Sequence, residues 1–231
     1  MTSEKVKKEL ERLGNPGQAK LLQRFFKTGK GQYGEGDIFL GIKVPVQREV
    51  ANKFRTLELN EIRKLLESRI HEHRLVGLLI LVEKYTKSDD KKGIADFYLA
   101  NTKNINNWDL VDLTSHRILG EYLLDKDRSV LYRLAKSEDL WEKRISIIAT
   151  AAFIRENDFK DTLKISEILL NDSHDLIHKA VGWMLREVGK KDQRAEEKFL
   201  DKHAGRMPRT MLRYAIEKFD EKKRKYYMAL S

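Results

Sequence analysis

The sequence contains no cysteine, and it has only 3 prolines and 13 glycines among its 231 residues. The absence of cysteine excludes disulfide bonds and thiolate metal sites. The scarcity of proline and glycine favours long helices over the short strands and frequent turns of a sandwich or barrel. No apolar run approaches the ~20 residues that span a bilayer, and the charged N-terminal segment lacks the apolar core of a secretory signal. We therefore expect a cytoplasmic protein.

Several catalytic and metal-binding motifs are also missing. There is no G-x-S-x-G element of a serine hydrolase, and none of the 6 histidines belongs to an H-E-x-x-H motif. His174 and His178 are spaced for one face of a helix, but a pair without a third acidic ligand is weak evidence for a metal. The sequence predicts no metal site and no cofactor.

The charge balance is strongly basic. Lysine and arginine together number 46 against 36 acidic residues, which gives a formal net charge of +10. A surplus of this size attracts polyanions, of which nucleic acid is the commonest. Charge alone leaves open a basic protein that has no nucleic-acid role.

Apolar residues recur at helical spacing along nearly the whole chain. The first helices are predicted at 2–13 and 16–27, the second of which starts behind Asn15 with Pro16 at a favourable position. The glycine-rich segment 28–37 fits no phosphate-binding loop, and we expect a mobile loop there. After Pro45 the helical pattern is almost continuous, and the predicted helices include 46–55, 71–86, 108–124, 139–155 and 173–189.

Four similar blocks open long apolar helices at a constant spacing. They begin at Arg74, Asp109, Arg144 and Lys179, each 35 residues after the one before. Helix pairs that repeat at this length are typical of HEAT-like arrays. The sequence thus predicts an all-α fold, a curved α-solenoid of HEAT-like repeats, with residues 1–231 forming a single domain. The concave surface of such an array suits an extended partner such as duplex DNA.

The repeat singles out one carboxylate. The fourth position of each block is Gly77, Asp112, Ile147 or Gly182, so only the second block places a charge there. A carboxylate at a position that its sister repeats leave apolar is costly to desolvate unless it is partnered. Three readings remain open: a functional carboxylate, a helix rotated to expose Asp112, or a structural partner of a nearby arginine or helix end.

Two tryptophans and an arginine are expected near Asp112. Trp108 lies one helical turn before it, while Arg144 and Trp183 belong to the next two blocks. Stacked repeats would bring these residues to one patch. Aromatic faces and a carboxylate both stabilise positive charge, as the oxocarbenium-like transition state of glycoside cleavage requires. Trp141, by contrast, is predicted to be a core residue.

The chain resembles the AlkD-type DNA alkylation repair glycosylases, a family built from HEAT-like repeats. The resemblance rests on three segments that occur in the expected order: Asn107-Trp-Asp-Leu-Val-Asp112, Leu140-Trp-Glu-Lys-Arg144 and Lys179-Ala-Val-Gly-Trp-Met-Leu-Arg-Glu187. Phe39-Leu-Gly-Ile-Lys-Val-Pro45 adds weaker support.

The resemblance implies a DNA glycosylase that removes cationic N3- and N7-alkylated purines, such as 3-methyladenine and 7-methylguanine, from duplex DNA. Asp112 would be its catalytic carboxylate, and Trp108 and Trp183 would contact the deoxyribose at the lesion. Arg144, Lys179 and Arg186 would bind the DNA backbone. The implied partner is double-stranded DNA with alkylated bases, bound by a monomer. The alternative is a non-catalytic HEAT-like repeat protein that binds damaged or branched DNA, or a protein partner.

Overall fold

The fold is all-helical, as the sequence predicts. A computed structural model describes residues 1–230, and within that range no β-strand occurs. A single isolated bridge joins Ile38 to Ile70, where the amide of His71 donates to the carbonyl of Ile38 at 2.8 Å. None of the helices in this range is long and apolar enough to cross a membrane.

The residues cluster into two compact units, which are described separately. Unit 1, Met1–Thr114, contains α1 (Ser3–Leu13), α2 (Pro16–Phe25), α3 (Val44–Lys53), α4 (Leu59–Leu66), α5 (His71–Lys87), α6 (Lys91–Leu99) and α7 (Trp108–Asp112). Unit 2 begins at Ser115 and contains α8 (Ser129–Ala135), α9 (Leu140–Ala149), α10 (Ala151–Arg155), α11 (Lys160–Ile168), α12 (Asp175–Lys191), α13 (Gln193–His203), α14 (Arg209–Ala215) and α15 (Glu221–Leu230). That residues 1–231 form a single domain stays a prediction.

Helix α5 is the buried centre of unit 1. Every residue from His71 to Val82 is buried, including the polar run His71, Glu72, His73 and Arg74 at its N-terminus. Buried polar groups are costly unless they are hydrogen-bonded. Glu72 meets this demand by accepting the amides of Leu40, Gly41 and Ile42 at 2.9, 2.8 and 3.2 Å.

Helix α12 has the same central place in unit 2. It packs against α9, α13 and α14, and its apolar face, which includes Val181 and Leu185, is fully buried. Gly182 allows the close approach of α14, because a Cβ at this position would lie 2.4 Å from the carbonyl oxygen of Met211. The fourth position of this block is therefore a site where the backbones of α12 and α14 lie close together.

The continuous helix predicted over 108–124 is wrong. Helix α7 ends at Asp112, and a π-helical segment, His116–Gly120, follows at the start of unit 2. The hydroxyl of Thr114 donates to the carbonyl of Leu110 at 2.5 Å. Such a bond to the preceding turn bends or interrupts a helix, which is a local effect that apolar spacing does not report.

Candidate active site

Asp112 is the last residue of the short helix α7, and its side chain is half-buried. The residues at the same position of the other three blocks, Gly77, Ile147 and Gly182, are all buried. Burial raises the pKa of the Tyr98 hydroxyl, and the negative charge of Asp112 raises that pKa further. The negative charge of Asp112 therefore affects the buried hydroxyl of Tyr98, while the side chain of Asp112 stays partly exposed to solvent.

Trp108 begins α7, and its ring is fixed by aromatic packing. Asn107 caps the helix by accepting the Trp108 amide at 2.9 Å. The indole is stacked on Phe26, with centroids 5.1 Å apart and planes 12° from parallel, and it meets the edge of Phe25 at 5.9 Å. Contacts of this kind hold an aromatic side chain in one orientation. Trp108 lies one turn before Asp112, so the same short helix orients both side chains.

A buried polar network lies against α7, the helix that begins with Trp108, and the sequence did not predict it. His71 bridges two carboxylates: its Nε2 is 2.8 Å from Asp109 Oδ2 and its Nδ1 is 3.3 Å from Asp37 Oδ2. Asp37 also accepts bonds from Arg74 at 2.7 Å and from the Asn107 amide at 3.3 Å. These five residues come from three separated segments, so only the fold brings them together.

The charges of this network shift its pKa values in opposite directions. Burial lowers the pKa of His71, but the charge and hydrogen bond of Asp109, followed by the bond to Asp37, outweigh burial and raise the pKa to about 9. Burial raises the pKa of Asp37, yet His71 and Arg74 together lower it below its usual value. At neutral pH His71 is therefore an imidazolium that lies between the carboxylates of Asp37 and Asp109.

The glycine-rich segment 28–37 ends at this network. It is a series of turns in which Gly34 donates to the carbonyl of Lys27 at 3.2 Å and Gly31 to the side chain of Glu35 at 2.7 Å. Gly31 and Gly36 adopt φ values of 75° and 85°, which side chains rarely tolerate. Asp37 then anchors the end of the segment in the interior. That this loop is mobile stays a prediction.

In unit 2, Trp183 lines an open pocket of about 400 Å³. Apolar side chains, among them Ile148 and Met184, form one part of the lining, and Lys190 and Lys191 belong to another. The Trp183 indole nitrogen donates to Glu187 at 3.1 Å. Trp183 is half-buried and keeps part of its ring available for contact.

The three predicted DNA-binding cations also lie in unit 2, and each has a partner within the protein. Arg144 is buried and donates to the carbonyl of Leu176 at 2.5 Å. Lys179 pairs with Asp175 at 2.7 Å, and Arg186 pairs with Glu217. A DNA phosphate at Lys179 or Arg186 would therefore share or displace a carboxylate.

The two histidines considered as a metal pair have other partners. His174 Nδ1 accepts the amide of Leu176 at 3.1 Å and so caps α12, while His178 Nε2 lies 2.5 Å from the carbonyl of Asp172. Within residues 1–230, no three histidine or acidic side chains are grouped in a way that could hold a metal ion. Trp141, predicted as core, is buried.

The comparisons with known proteins bear on the fold and on the family of this chain. A solved structure described as a predicted DNA alkylation repair enzyme from Enterococcus faecalis has the same fold, with a TM-score of 0.70 and 15% identity. The match covers 90% of this chain and 97% of that one. No curated protein matches the sequence. The model of the DNA alkylation repair enzyme family matches residues 6–219, which supports a role in the repair of alkylated DNA. This chain belongs to the DNA alkylation repair enzyme family.

Proposed function

We propose that this protein is a DNA glycosylase that excises cationic N3- and N7-alkylated purines from duplex DNA in base excision repair. The observation that carries the proposal is the half-buried Asp112 at the end of α7, one turn after the packed Trp108, in a member of this family.

The chemistry is hydrolysis of the N-glycosidic bond. The C1′–N bond breaks and its electron pair goes to the purine, which already carries a positive charge and leaves as a neutral base. Asp112 stabilises the developing sugar cation and orients the water that attacks C1′, and the proton that this water loses passes to solvent. No group need protonate the base, because alkylation has already made it a good leaving group.

The aromatic and basic residues have supporting roles in this proposal. Trp108 and Trp183 contact the deoxyribose with their π faces, which favours positive charge. Lys179 and Arg186 bind the DNA backbone and set the register of the lesion, and Arg144 joins them by releasing the carbonyl of Leu176. The proposal also includes HEAT-like repeats arranged as a curved α-solenoid, and a monomer as the active form. The solenoid rests on the 35-residue spacing of the blocks and on the family resemblance, and the monomer rests on that resemblance alone.

The test is release of free base from a duplex oligonucleotide that contains one 7-methylguanine. The wild-type protein should release 7-methylguanine and leave an abasic site. Tight binding with steep salt dependence but no release would overturn the proposal in favour of a non-catalytic DNA-binding module. Binding that is insensitive to salt, again without release, would point to a protein partner.

A further inference from the structure

The buried network behind Trp108 has no part in the proposed reaction, and its cost to folding calls for an explanation. Asp37, His71, Arg74, Asn107 and Asp109 are each at least nine-tenths buried. Taking charged groups out of water is expensive, and an apolar core of similar volume is often as stable or more so. A buried ionic cluster is therefore weak evidence for stability and better evidence for a specific geometry.

The network joins α7 to the rest of unit 1. Asn107 caps α7 and Asp109 lies within it, while His71 belongs to α5 and Asp37 to the end of the glycine-rich segment. Asp109 immediately follows Trp108 in the sequence. A five-residue helix has few backbone bonds of its own, so side-chain anchors of this kind determine where it points.

The proton count of His71 follows from its contacts. A neutral imidazole has one N–H donor and one lone pair. Since both ring nitrogens face carboxylate oxygens, a neutral ring would direct its lone pair at one of them. The imidazolium donates to both, and with Arg74 it balances the charges of Asp37 and Asp109.

Charged groups face His71 from three elements of unit 1. Asp37 faces it from the glycine-rich segment, Asp109 from α7, and Arg74 from its own helix. The rings of Phe26 and Phe39 cover it with centroids at 5.1 and 4.4 Å. Loss of the proton would leave a net negative charge in an apolar enclosure, which would weaken the hold on Asp109.

We propose that His71, as an imidazolium shared between Asp37 and Asp109, is a positioning residue that orients α7 and therefore Trp108 and Asp112. This inference rests on the proposed glycosylase function for its consequence in catalysis, although not for its consequence in structure. The pKa of His71, raised to about 9, agrees with a charged ring at neutral pH.

The structural part is tested on the wild-type protein by NMR. With ¹⁵N-labelled histidine, both ring nitrogens of His71 should carry a proton at pH 7.5. The ring should lose one of these protons only near pH 9. The chain has 3 tryptophans, so 5-fluorotryptophan gives three ¹⁹F signals that single Trp→Phe variants assign. The signal of Trp108 should shift with the titration of His71, and those of Trp141 and Trp183 should not.

The catalytic part is tested by single-turnover excision with His71→Gln. The matched control is His73→Gln, because His73 is buried on the same helix but bonds to Ser68 at 2.9 Å, outside the network. His71→Gln should slow excision by about 10- to 100-fold, the effect of a small misplacement, without changing DNA affinity. His73→Gln should excise at the wild-type rate.

The outcomes separate the two proposals. If wild-type protein releases no base but the Trp108 signal follows His71, the glycosylase function fails and the positioning role stands. A neutral His71 at pH 7.5, or a Trp108 signal that ignores its titration, overturns the positioning role whatever the excision assay shows. Equal excision by His71→Gln and wild type overturns its catalytic consequence.

Discussion

At the scale of single residues, Asp112 and Trp108 belong to one short helix and supply different parts of the proposed site. The carboxylate supplies charge, and the indole, stacked on Phe26 at 5.1 Å, supplies a fixed π face on the same short helix. Phe26 belongs to a small buried cluster with Ala19 and Phe39, against which Trp108 packs. The orientation of the proposed catalytic helix is thus coupled to the packing of α2.

This coupling predicts two effects of Trp108→Ala. Removing the indole should cost about 2–4 kcal/mol of unfolding free energy, since large-to-small changes in packed sites lose both transfer energy and contacts. It should also slow base release. Urea denaturation and single-turnover excision measure the two effects.

Trp108→Phe is the matched comparison because it keeps an aromatic face against Phe26. It should recover most of the stability. Full stability of the alanine variant would contradict the packing described here.

A second residue-scale prediction concerns pH. The pKa of His71 is raised from 6.5 to about 9 in the folded protein. The folded state therefore binds this proton more tightly than the unfolded state, and the resulting stability is fully present below about pH 6.5 and is lost as pH rises through about 9. The contribution is on the order of 3 kcal/mol.

Unfolding free energies of wild type and His71→Gln should therefore differ less at pH 9.5 than at pH 6. The comparison of the two proteins is needed because burial also raises the pKa of Glu196 from 4.5 to about 8, which removes stability between those two pH values and so overlaps with the range of His71. A difference that does not depend on pH would contradict a charged His71.

The sequence predicts the importance of Asp112, but it does not predict the buried network around His71. Asp112 stands out because the residues at the same position of the other three blocks are uncharged. That comparison requires only the 35-residue spacing of the blocks. The contacts of His71 join residues 34 and 38 positions apart, with no repeating pattern to connect them. Asp37 in particular reads as the last residue of a polar loop, and only the fold buries it.

At the scale of elements, apolar spacing predicts which segments are helical, and capping residues and prolines determine where the helices begin. The Asn15 side chain accepts the amide of Gln18 at 3.0 Å and Pro16 begins α2, as the sequence predicted. Helix α3 starts at Val44, slightly before the predicted 46–55, because Pro45 fits the first turn. The break after Asp112 accompanies the hydrogen bond from the Thr114 hydroxyl to the Leu110 carbonyl, which apolar spacing does not predict.

Two glycine substitutions test the contrast between a helix contact and an open helix surface. Gly182→Ala should destabilise the protein by about 1–3 kcal/mol, since its methyl group would overlap the Met211 carbonyl. Gly17→Ala should stabilise it by about 0.5–1 kcal/mol, because its Cβ would meet only the Asn15 side chain at 3.4 Å. Thermal unfolding measures both, and a tolerated Gly182→Ala would contradict the close approach of α14 to α12.

At the scale of the whole molecule, the net charge of +10 and the family both favour DNA as the partner. Counterion release makes the affinity fall with salt in proportion to the number of phosphates neutralised. The cations proposed for DNA binding should therefore contribute to this slope, and other lysines should not.

Lys179→Ala should weaken DNA binding at low salt and reduce the slope of log K against log salt by about 1. Its control is Lys87→Ala, an exposed lysine of unit 1 that pairs with Glu83 at 3.8 Å. Fluorescence anisotropy with a labelled duplex, read from about 50 to 200 mM salt, gives both slopes. Equal slopes for the two variants would remove Lys179 from the proposed DNA-binding set.

The central claim is that the carboxylate of Asp112 assists departure of the base, and Asp112→Asn tests it most directly. Single-turnover release of 7-methylguanine should slow by about 10²-fold or more, the scale of one preorganised electrostatic contact. DNA affinity should stay equal or tighten, since a negative charge facing a polyanion is removed. Asp89→Asn, an exposed change in the same unit, should excise at the wild-type rate. Wild-type excision by Asp112→Asn would contradict the account.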